Sequence, residues 1–184
     1  MRTVEPLAIV VPLKSFAVAK SRLRRGGVSD VDRRSRELAA RVIAAALPRD
    51  VFIACETSDV VEFAREQRAN VILSQATSLN EAVAHSRDVL SADYDRIMVV
   101  HGDLSDPTGL GAFDPPTDVV IITDHRGAGT NVLVVPTRAQ FHFGFGSDSA
   151  AEHLREAQRL DLETITIFDS PWRFDVDEPS DMGA

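Results

Sequence analysis

Three aspartates are the residues of this sequence best suited to bind a metal ion. Asp103 follows the apolar run 97–100, and the preceding Gly102 allows close approach of the backbone. Asp175 and Asp177 are two residues apart, so in an extended strand both carboxylates lie on the same side. Together the three carboxylates could hold Mg²⁺, with water and phosphate oxygens completing its coordination. A turn aspartate at position 103 and a solvated acidic C-terminal segment are the alternatives.

A cationic segment follows the first apolar run of the chain. Residues 7–11, Leu-Ala-Ile-Val-Val, are too few for a helix and suit a strand buried on both faces of a sheet. After Pro12 the sequence becomes basic, with Lys14, Lys20, Arg22, Arg24 and Arg25. Cations presented at the carboxyl end of a buried strand suit a polyphosphate ligand. A solvated loop without a ligand is the alternative interpretation.

Two glycine-containing segments could bind an anion. Residues 127–131, Gly-Ala-Gly-Thr-Asn, let the backbone approach a phosphate or carboxylate, and Thr130 adds a hydroxyl donor. A tight hairpin turn explains these glycines equally well. Residues 144–149, Gly-Phe-Gly-Ser-Asp-Ser, lead into a predicted helix whose N-terminal amides can bind an anion. Their spacing imitates a dinucleotide fingerprint, but Ser149 replaces the third glycine and no clear strand precedes it, which argues against a dinucleotide oxidoreductase.

The motifs of several other enzyme classes are absent from the sequence. There is no Gly-x-x-x-x-Gly-Lys-Ser/Thr, which argues against a P-loop protein, and no Gly-x-Ser-x-Gly nucleophile elbow. The five histidines show no close metal-binding spacing, and with one cysteine a zinc site is not expected. We interpret His101 and His125 as loop residues and not as catalysts.

The charge of the chain is unevenly distributed. Its net charge is −8, which disfavours nonspecific binding to nucleic acid. Residues 14–36 nevertheless contain eight Lys and Arg against two Asp, a local balance of 8 − 2 = +6. A basic entrance on an acidic protein favours a small anionic ligand over a polymer.

Size and composition predict one globular domain that spans residues 1–184. The single cysteine, Cys55, rules out an internal disulfide, which suits a reducing cytoplasm. Residues 1–6 are short and include Glu5, and the run 7–11 is too short for a signal core or a membrane span. We therefore expect a cytoplasmic protein without a membrane partner.

Strand and helix patterns alternate along the chain. We predict strands at 7–11, 51–55, 71–73, 97–100, 119–123, 132–135 and 164–168. Helices are predicted from 29 or 30 to about 47, after 58, at 79–90 and at 149–160, and residues 141–145 as an irregular or hairpin segment. This alternation predicts an α/β fold, with a mostly parallel sheet and helices on both faces.

Six motifs occur in series along nearly the whole chain. The first three are Pro-Leu-Lys-Ser-Phe-Ala-Val-Ala-Lys-Ser-Arg-Leu at 12–23, Leu-Asn-Glu-Ala-Val at 79–83 and Gly-Asp-Leu at 102–104. The others are Gly-Ala-Gly-Thr-Asn at 127–131, Phe-Gly-Ser-Asp-Ser at 145–149 with His153, and Phe-Asp-Val-Asp-Glu-Pro at 174–179. In this order they resemble the CofC/FbiD family, the 2-phospho-L-lactate or phosphoenolpyruvate guanylyltransferases of coenzyme F-420 biosynthesis.

The resemblance implies a single-domain Rossmann-like nucleotidyltransferase fold of the GT-A type. It also implies Mg²⁺-dependent transfer of GMP from GTP to a small phosphorylated three-carbon acid, with release of pyrophosphate. The phosphate of such an acid is already an anion, so it can attack the α-phosphorus without a general base. The expected work of the protein is alignment and neutralisation of charge.

The resemblance further implies roles for ten residues of this sequence. The triphosphate would be gripped by the cations Lys14, Lys20 and Arg22, and the nucleoside would lie near Asn80. Metal ions would be held by the carboxylates Asp103, Asp175 and Asp177. The acid would be bound by Thr130, Gly146 and Ser149. The residues expected to be catalytic are Lys14, Lys20 and Asp103.

The sequence departs from the family pattern at two places. Relatives usually have Asp-Leu-Pro where this chain has Asp103-Leu104-Ser105, which could loosen the loop but keeps the carboxylate. The chain ends five residues after Pro179, so we expect the C-terminal helix that is usual in the family to be short or missing. Any homodimer contact made by that helix would then be reduced or lost.

Several other functions are compatible with the same motifs. The acceptor could be 3-phosphoglycerate, or the protein could be a nucleotidyltransferase of the same fold that acts on a sugar phosphate or on molybdopterin. A non-catalytic nucleotide-binding module is an alternative of a different class. Three separated aspartates argue against that module, because nucleotide binding alone does not need so many metal ligands.

Overall fold

The fold is described from a computed structural model for residues 6–16 and 30–176. Its strands are β1 (Leu7–Pro12), β2 (Val51–Cys55), β3 (Asn70–Leu73), β4 (Arg96–Val100), β5 (Val119–Thr123), β6 (Thr130–Pro136) and β7 (Thr164–Ile167). Its helices are α1 (Val31–Ala46), α2 (Ser58–Glu66), α3 (Leu79–Leu90) and α4 (Ser149–Arg159), with short 3₁₀ helices at Leu110–Ala112 and Pro171–Arg173. In this part of the chain no helix combines the length and the apolar character that a membrane crossing requires.

The seven strands form one sheet in the order β3-β2-β1-β4-β6-β5-β7. Strand β6 is antiparallel to both of its neighbours, whereas the other paired strands are parallel. The prediction of a mostly parallel sheet is therefore confirmed. Because β6 is reversed, its first residues, Thr130 and Asn131, lie at the edge of the sheet where β4 and β5 end.

The central strands are buried on both faces, which explains their uninterrupted apolar sequences. Along β1, Leu7, Ile9 and Val11 face the core shared with α1 and α2. The alternate residues Ala8 and Val10 face the core shared with α3 and α4. The predicted placement of helices on both faces is confirmed.

Helix α3 begins at the predicted residue because its first turn is capped from both sides. The Ser78 hydroxyl accepts a hydrogen bond from the amide of Glu81 at 3.2 Å. In return, the Glu81 carboxylate accepts one from the amide of Thr77 at 2.8 Å. This reciprocal capping fixes Leu79 and Asn80 at the carboxyl edge of the sheet.

The structure differs from the sequence prediction mainly in two segments. Strand β6 begins at Thr130 and not at residue 132, so two residues that were expected in a loop belong to the sheet. Residues 172–176 do not form a solvated tail, because Trp172 is buried in the core and Asp175 pairs with Leu104 in an antiparallel bridge. Residues 141–145 are irregular, in agreement with one of the two predicted forms.

The connection that follows β4 packs tightly against the end of α1. Arg41 donates a hydrogen bond to the carbonyl of Ser105 at 2.9 Å. Further along, Gly111 is buried against the backbone, and a Cβ atom there would lie 2.6 Å from the carbonyl oxygen of Ala46 and closer still to that of Leu47. Main-chain oxygens cannot rotate away as a side chain can, so this position requires glycine.

We therefore expect Gly111→Ala to lower the free energy of unfolding by about 2–3 kcal/mol, because the added methyl group overpacks the backbone. Urea denaturation of the two proteins measures this difference. Ala112→Ser, at an exposed position of the same turn, is the matched control and should change stability by less than about 0.5 kcal/mol. A Gly111→Ala protein as stable as the wild type would contradict the packing described.

Candidate active site

A groove of three adjoining cavities runs along the carboxyl edge of the sheet, and Leu79 lines all three. The first cavity, about 80 Å³, lies at the ends of β1 and β2 and is lined by Lys14 and Glu56 among others. The central cavity, about 250 Å³, is lined by Lys14, His101 and Asp103. The third cavity, about 550 Å³, lies beyond His101 beside the start of β6.

A short antiparallel contact brings Asp103 and Asp175 together. The amide of Ser105 donates to the carbonyl of Phe174 at 2.8 Å, and the amide of Val176 donates to the carbonyl of Asp103 at 3.1 Å. These two hydrogen bonds hold residues 174–176 against residues 103–105. Two carboxylates that are far apart in the sequence thereby reach the same point of the groove.

His101, Asp103 and Asp175 form a cluster that fits a divalent cation. One possible ligand atom from each residue lies within 4.8 Å of those from the other two. The Nε2 atom of His101 is buried and has no hydrogen-bond partner within the described structure. Carboxylate oxygens suit Mg²⁺ and Mn²⁺, and an imidazole nitrogen suits the later transition metals. Asp177, the third predicted carboxylate, lies outside the described residues.

Asn131 orients one member of this cluster. Its side-chain amide donates to the Oδ1 atom of Asp175 at 3.4 Å and to the carbonyl of Trp172 at 3.1 Å. The backbone carbonyl of Asn131 also accepts from the amide of His101 at 3.0 Å. Asn131, at the start of strand β6, thus holds two of the three candidate ligands in place.

His101 was missed by the sequence analysis as a candidate metal ligand. It is a loop residue, as expected, but its ring belongs to the cluster with the two aspartates. His101 and Asp103 are two residues apart, as are Asp175 and Asp177. A search for pairs of possible ligands with this spacing directly after a buried strand would have identified His101.

Gly102 and Leu13 make a close contact beside the cluster. A Cβ atom on Gly102 would lie 2.5 Å from Cδ2 of Leu13, so a larger residue there would displace the end of the Leu13 side chain. Both residues line the central cavity, so glycine at position 102 leaves room for Leu13 in the wall of that cavity.

Lys14 is exposed and lines the first and central cavities. The chain beyond it is held by Asp59, whose carboxylate accepts from the Ser15 hydroxyl and the Phe16 amide, both at 3.1 Å. The guanidinium of Arg36 lies 4.4 Å from the centre of the Phe16 ring. The predicted phosphate contacts Lys20 and Arg22 lie outside the described residues.

The three residues predicted to bind the acid all line the third cavity. Thr130 and Ser149 are buried in its wall, and Gly146 is exposed at its mouth. The amide of Ala150 donates to the carbonyl of Ala128 at 2.9 Å, which joins the start of α4 to the glycine loop. That amide is therefore engaged within the protein, and a ligand would depend on the other donors of this wall.

The glycine loop 124–129 is both a tight turn and a wall of the third cavity. The amide of Ala128 donates to Oδ1 of Asp124 at 2.9 Å, and Gly127 has a φ angle of 77°. Both interpretations of these glycines are thus compatible with the structure. The same loop brings two residues that the sequence analysis did not select, His125 and Arg126, to the cavity. A cation within a glycine loop is a signal that could have identified Arg126.

Asn80 uses its side chain within the protein. Its Oδ1 atom accepts from the amide of Phe145 at 2.7 Å, and its Nδ2 atom donates to the carbonyl of the same residue at 3.4 Å. Asn80 thus joins the start of α3 to residues 144–146. Its contact with a nucleoside remains a prediction from the resemblance.

Helix α4 anchors the irregular segment 141–148. The Glu156 carboxylate accepts from Arg159 at 2.7 Å and from the amide of His142 at 2.8 Å. These hydrogen bonds, the one from Arg159 first, lower the pKa of Glu156 to about 2. One turn earlier, His153 lies in the core, where its burial and then the nearby His101 lower its pKa to about 4.

The known proteins that resemble this chain include guanylyltransferases. Residues 7–184 match the family model described as "Guanylyl transferase CofC like". The chain belongs to this CofC-like family. A phosphoenolpyruvate guanylyltransferase of Chloroflexus aurantiacus is 38% identical over 106 residues, which cover 54% of this chain and 52% of the relative. One from Thermobaculum terrenum is 28% identical over 192 residues, covering 96% of this chain and 81% of the relative.

Other relatives carry a different substrate in their names. A 2-phospho-L-lactate guanylyltransferase of Methanosphaera stadtmanae is 26% identical over 142 residues, covering 73% of this chain and 62% of the relative. The aligned part is thus about half to four fifths of these relatives' lengths.

A solved nucleotidyl transferase of Methanothermobacter shares the fold. Its TM-score is 0.63 at 14% identity, covering 96% of this chain and 94% of that structure. The predicted nucleotidyltransferase-like fold is confirmed.

We expect substitutions in the cluster to weaken binding of Mn²⁺, the spectroscopic probe, in the absence of any substrate. Asp103→Asn and His101→Gln should each weaken it by at least about tenfold, because the first removes a negative charge and the second an imidazole nitrogen from a set of three ligands. Titration followed by electron paramagnetic resonance measures free Mn²⁺ directly. Asp93→Asn and His85→Gln, both at exposed positions, are the matched controls. Unchanged Mn²⁺ affinity in both cluster variants would contradict the assignment.

Proposed function

We propose that this protein transfers GMP from GTP to the phosphate of a small phosphorylated three-carbon acid, with release of pyrophosphate. The observation that carries the proposal is the position of the metal-fitting cluster between two cavities of one groove. In such a reaction the attacking acid and the leaving pyrophosphate must lie on opposite sides of the α-phosphorus of GTP. Phosphoenolpyruvate and 2-phospho-L-lactate are the acceptors we propose, because they are the acceptors in the names of the curated relatives.

The two outer cavities differ in a way that supports this division of the groove. The first cavity has apolar residues in its wall, among them Ala54, Ala76 and Leu79, which suit one face of a nucleoside, together with hydroxyl groups, Lys14 and Glu56. The third cavity is larger and is lined by hydroxyl donors, by the cation Arg126 and by the carboxylates Asp124 and Asp175. Its hydroxyl donors and its cation suit an acid with a phosphate and a carboxylate. Lys14, between the first and central cavities, would contact the triphosphate.

The chemistry follows from the charge of the two substrates. An oxygen of the acceptor's phosphate attacks the α-phosphorus of GTP and forms a new P–O bond. The bond from that phosphorus to the β-phosphate oxygen breaks, and the electron pair leaves with pyrophosphate. The attacking oxygen is already ionised, so the chain need not supply a general base.

The residues of the chain align the substrates and balance their charge. Lys14, with the predicted Lys20 and Arg22, would offset the negative charge of the triphosphate. His101, Asp103 and Asp175 would hold a divalent ion, for which we propose Mg²⁺. Such an ion would stabilise the charge that builds up on the phosphates. Thr130 and Ser149 would fix the acid in the third cavity.

We place the reaction in coenzyme F-420 biosynthesis, on the basis of the family. A cytoplasmic location remains a prediction, which the buried free thiol of Cys55 supports. A single domain over residues 1–184 remains a prediction from the sequence.

The test is release of pyrophosphate from GTP and Mg²⁺, with phosphoenolpyruvate, 2-phospho-L-lactate or 3-phosphoglycerate offered separately. We expect release with phosphoenolpyruvate or 2-phospho-L-lactate, and slower release when ATP or CTP replaces GTP. Asp103→Ala should lower kcat/KM by at least about a hundredfold while circular dichroism and thermal unfolding stay near wild type.

Asp93→Ala, at an exposed position outside the groove, is the control and should keep wild-type activity. Well-folded Asp103→Ala protein with wild-type turnover would contradict the role of the cluster. Bound GTP without pyrophosphate release, whichever acid is offered, would contradict the proposed reaction and favour a binding module.

A further inference from the structure

His153 is a buried titratable residue that the proposed chemistry does not use. It lies on α4 with no exposed surface. Its ring packs edge-on against Phe145, with 4.8 Å between ring centres, and also contacts Phe141. It is absent from the residues that line the third cavity, so it can act on a ligand there only through another residue.

Both ring nitrogens of His153 have a polar partner. The amide of Gly144 donates to Nε2 at 3.1 Å. The Nδ1 atom lies 3.1 Å from Oγ1 of Thr130, which is itself buried in the wall of the third cavity. These two contacts satisfy polar atoms that burial would otherwise leave unpaired.

The contact with Gly144 determines which nitrogen carries the proton. A backbone amide can only donate, so Nε2 must accept and carries no hydrogen. The neutral ring then has its one proton on Nδ1, and this N–H donates to Oγ1 of Thr130. The charged ring would instead direct an N–H at the amide of Gly144. The low pKa of His153, about 4, agrees with a neutral ring.

The direction of this hydrogen bond determines what Thr130 offers to a ligand. A threonine hydroxyl can accept and can donate one hydrogen. Because it accepts from His153, its own hydrogen remains available for an acceptor atom in the third cavity. A carboxylate or phosphate oxygen is such an acceptor.

His153 also helps to fix the segment that carries Gly146. It holds the amide of Gly144 on one side, and Asn80 holds both backbone groups of Phe145 on the other. Gly146, which lines the third cavity, directly follows these two anchored residues. The ring therefore connects two parts of the same wall, Thr130 on β6 and residues 144–146.

We propose that His153 is a positioning residue for the acceptor: its Nδ1–H fixes the Thr130 hydroxyl as a hydrogen-bond donor towards an anionic group of the acid. The specificity of the third cavity for an anion thus depends on His153, a residue that does not line the cavity. This inference rests on the proposed function for the identity of the ligand, but the proton assignment does not.

The kinetic test uses three variants of His153 and compares the KM of the acid with the KM of GTP. His153→Phe keeps the ring but removes both polar contacts, and should raise the KM of phosphoenolpyruvate or 2-phospho-L-lactate about 10- to 100-fold. The KM of GTP should change by less than about threefold. His153→Asn can still donate from its amide near the Nδ1 position and should restore part of the loss, whereas His153→Gln should not.

Thr130→Val provides the second arm of a double-mutant cycle. It removes the hydroxyl, so adding His153→Phe to it should raise the KM of the acid by less than about threefold further. His85→Phe, on the exposed side of α3, is the control. Equal changes in the KM values of acid and GTP, or independent effects of the two substitutions, would overturn the proposal.

A spectroscopic test does not depend on activity or on the folding of a variant. In wild-type protein labelled with ¹⁵N, we expect the chemical shifts of His153 at pH 7 to show a neutral ring protonated at Nδ1. A ring protonated at Nε2, or at both nitrogens, would overturn the proposal even if the transferase reaction is confirmed. If the ring has the expected tautomer but the protein has no transferase activity, the proposed function is wrong and the proton assignment stands.

Discussion

The antiparallel contact between residues 103–105 and 174–176 is the constraint on which the site depends. Its two backbone hydrogen bonds place Asp175 beside Asp103 and His101, and Asn131 then orients the Asp175 carboxylate. Without this contact, the central cavity would keep one carboxylate, which binds a divalent ion weakly. The cluster lies between the central and third cavities of the groove, a position that suits transfer of a charged group between substrates bound on either side of it.

Much of the fold could be predicted from local patterns. Residues 7–11 of β1 and 119–122 of β5 are apolar because these strands are buried on both faces, and such runs indicate strands without further information. Helix α3 was predicted with its observed bounds because apolar spacing and the capping residues before Leu79 agree. Asp103 was selected as a candidate ligand because it follows a buried strand, and the structure places it in the cluster.

The features that could not be predicted all involve distant partners. The short glycine-containing connection favours an antiparallel β5–β6 pair, but nothing local places β6 between β4 and β5, where its reversal brings Thr130 and Asn131 to the groove. The acidic composition after Trp172 favours solvent, but burial of that ring and backbone pairing with residues 103–105 outweigh it. The function of Asn80 as a link to Phe145 likewise depends on a side chain that meets a segment 65 residues later.

The most direct test of the account is to follow oxygen atoms through a single turnover. The protein would be mixed with GTP, Mg²⁺ and phosphoenolpyruvate or 2-phospho-L-lactate labelled with ¹⁸O in the phosphate, and the products analysed by mass spectrometry. Direct attack on the α-phosphorus predicts that all the label appears in the guanylylated acid and none in pyrophosphate. Label in pyrophosphate, or no guanylylated product with either acid, would contradict the account.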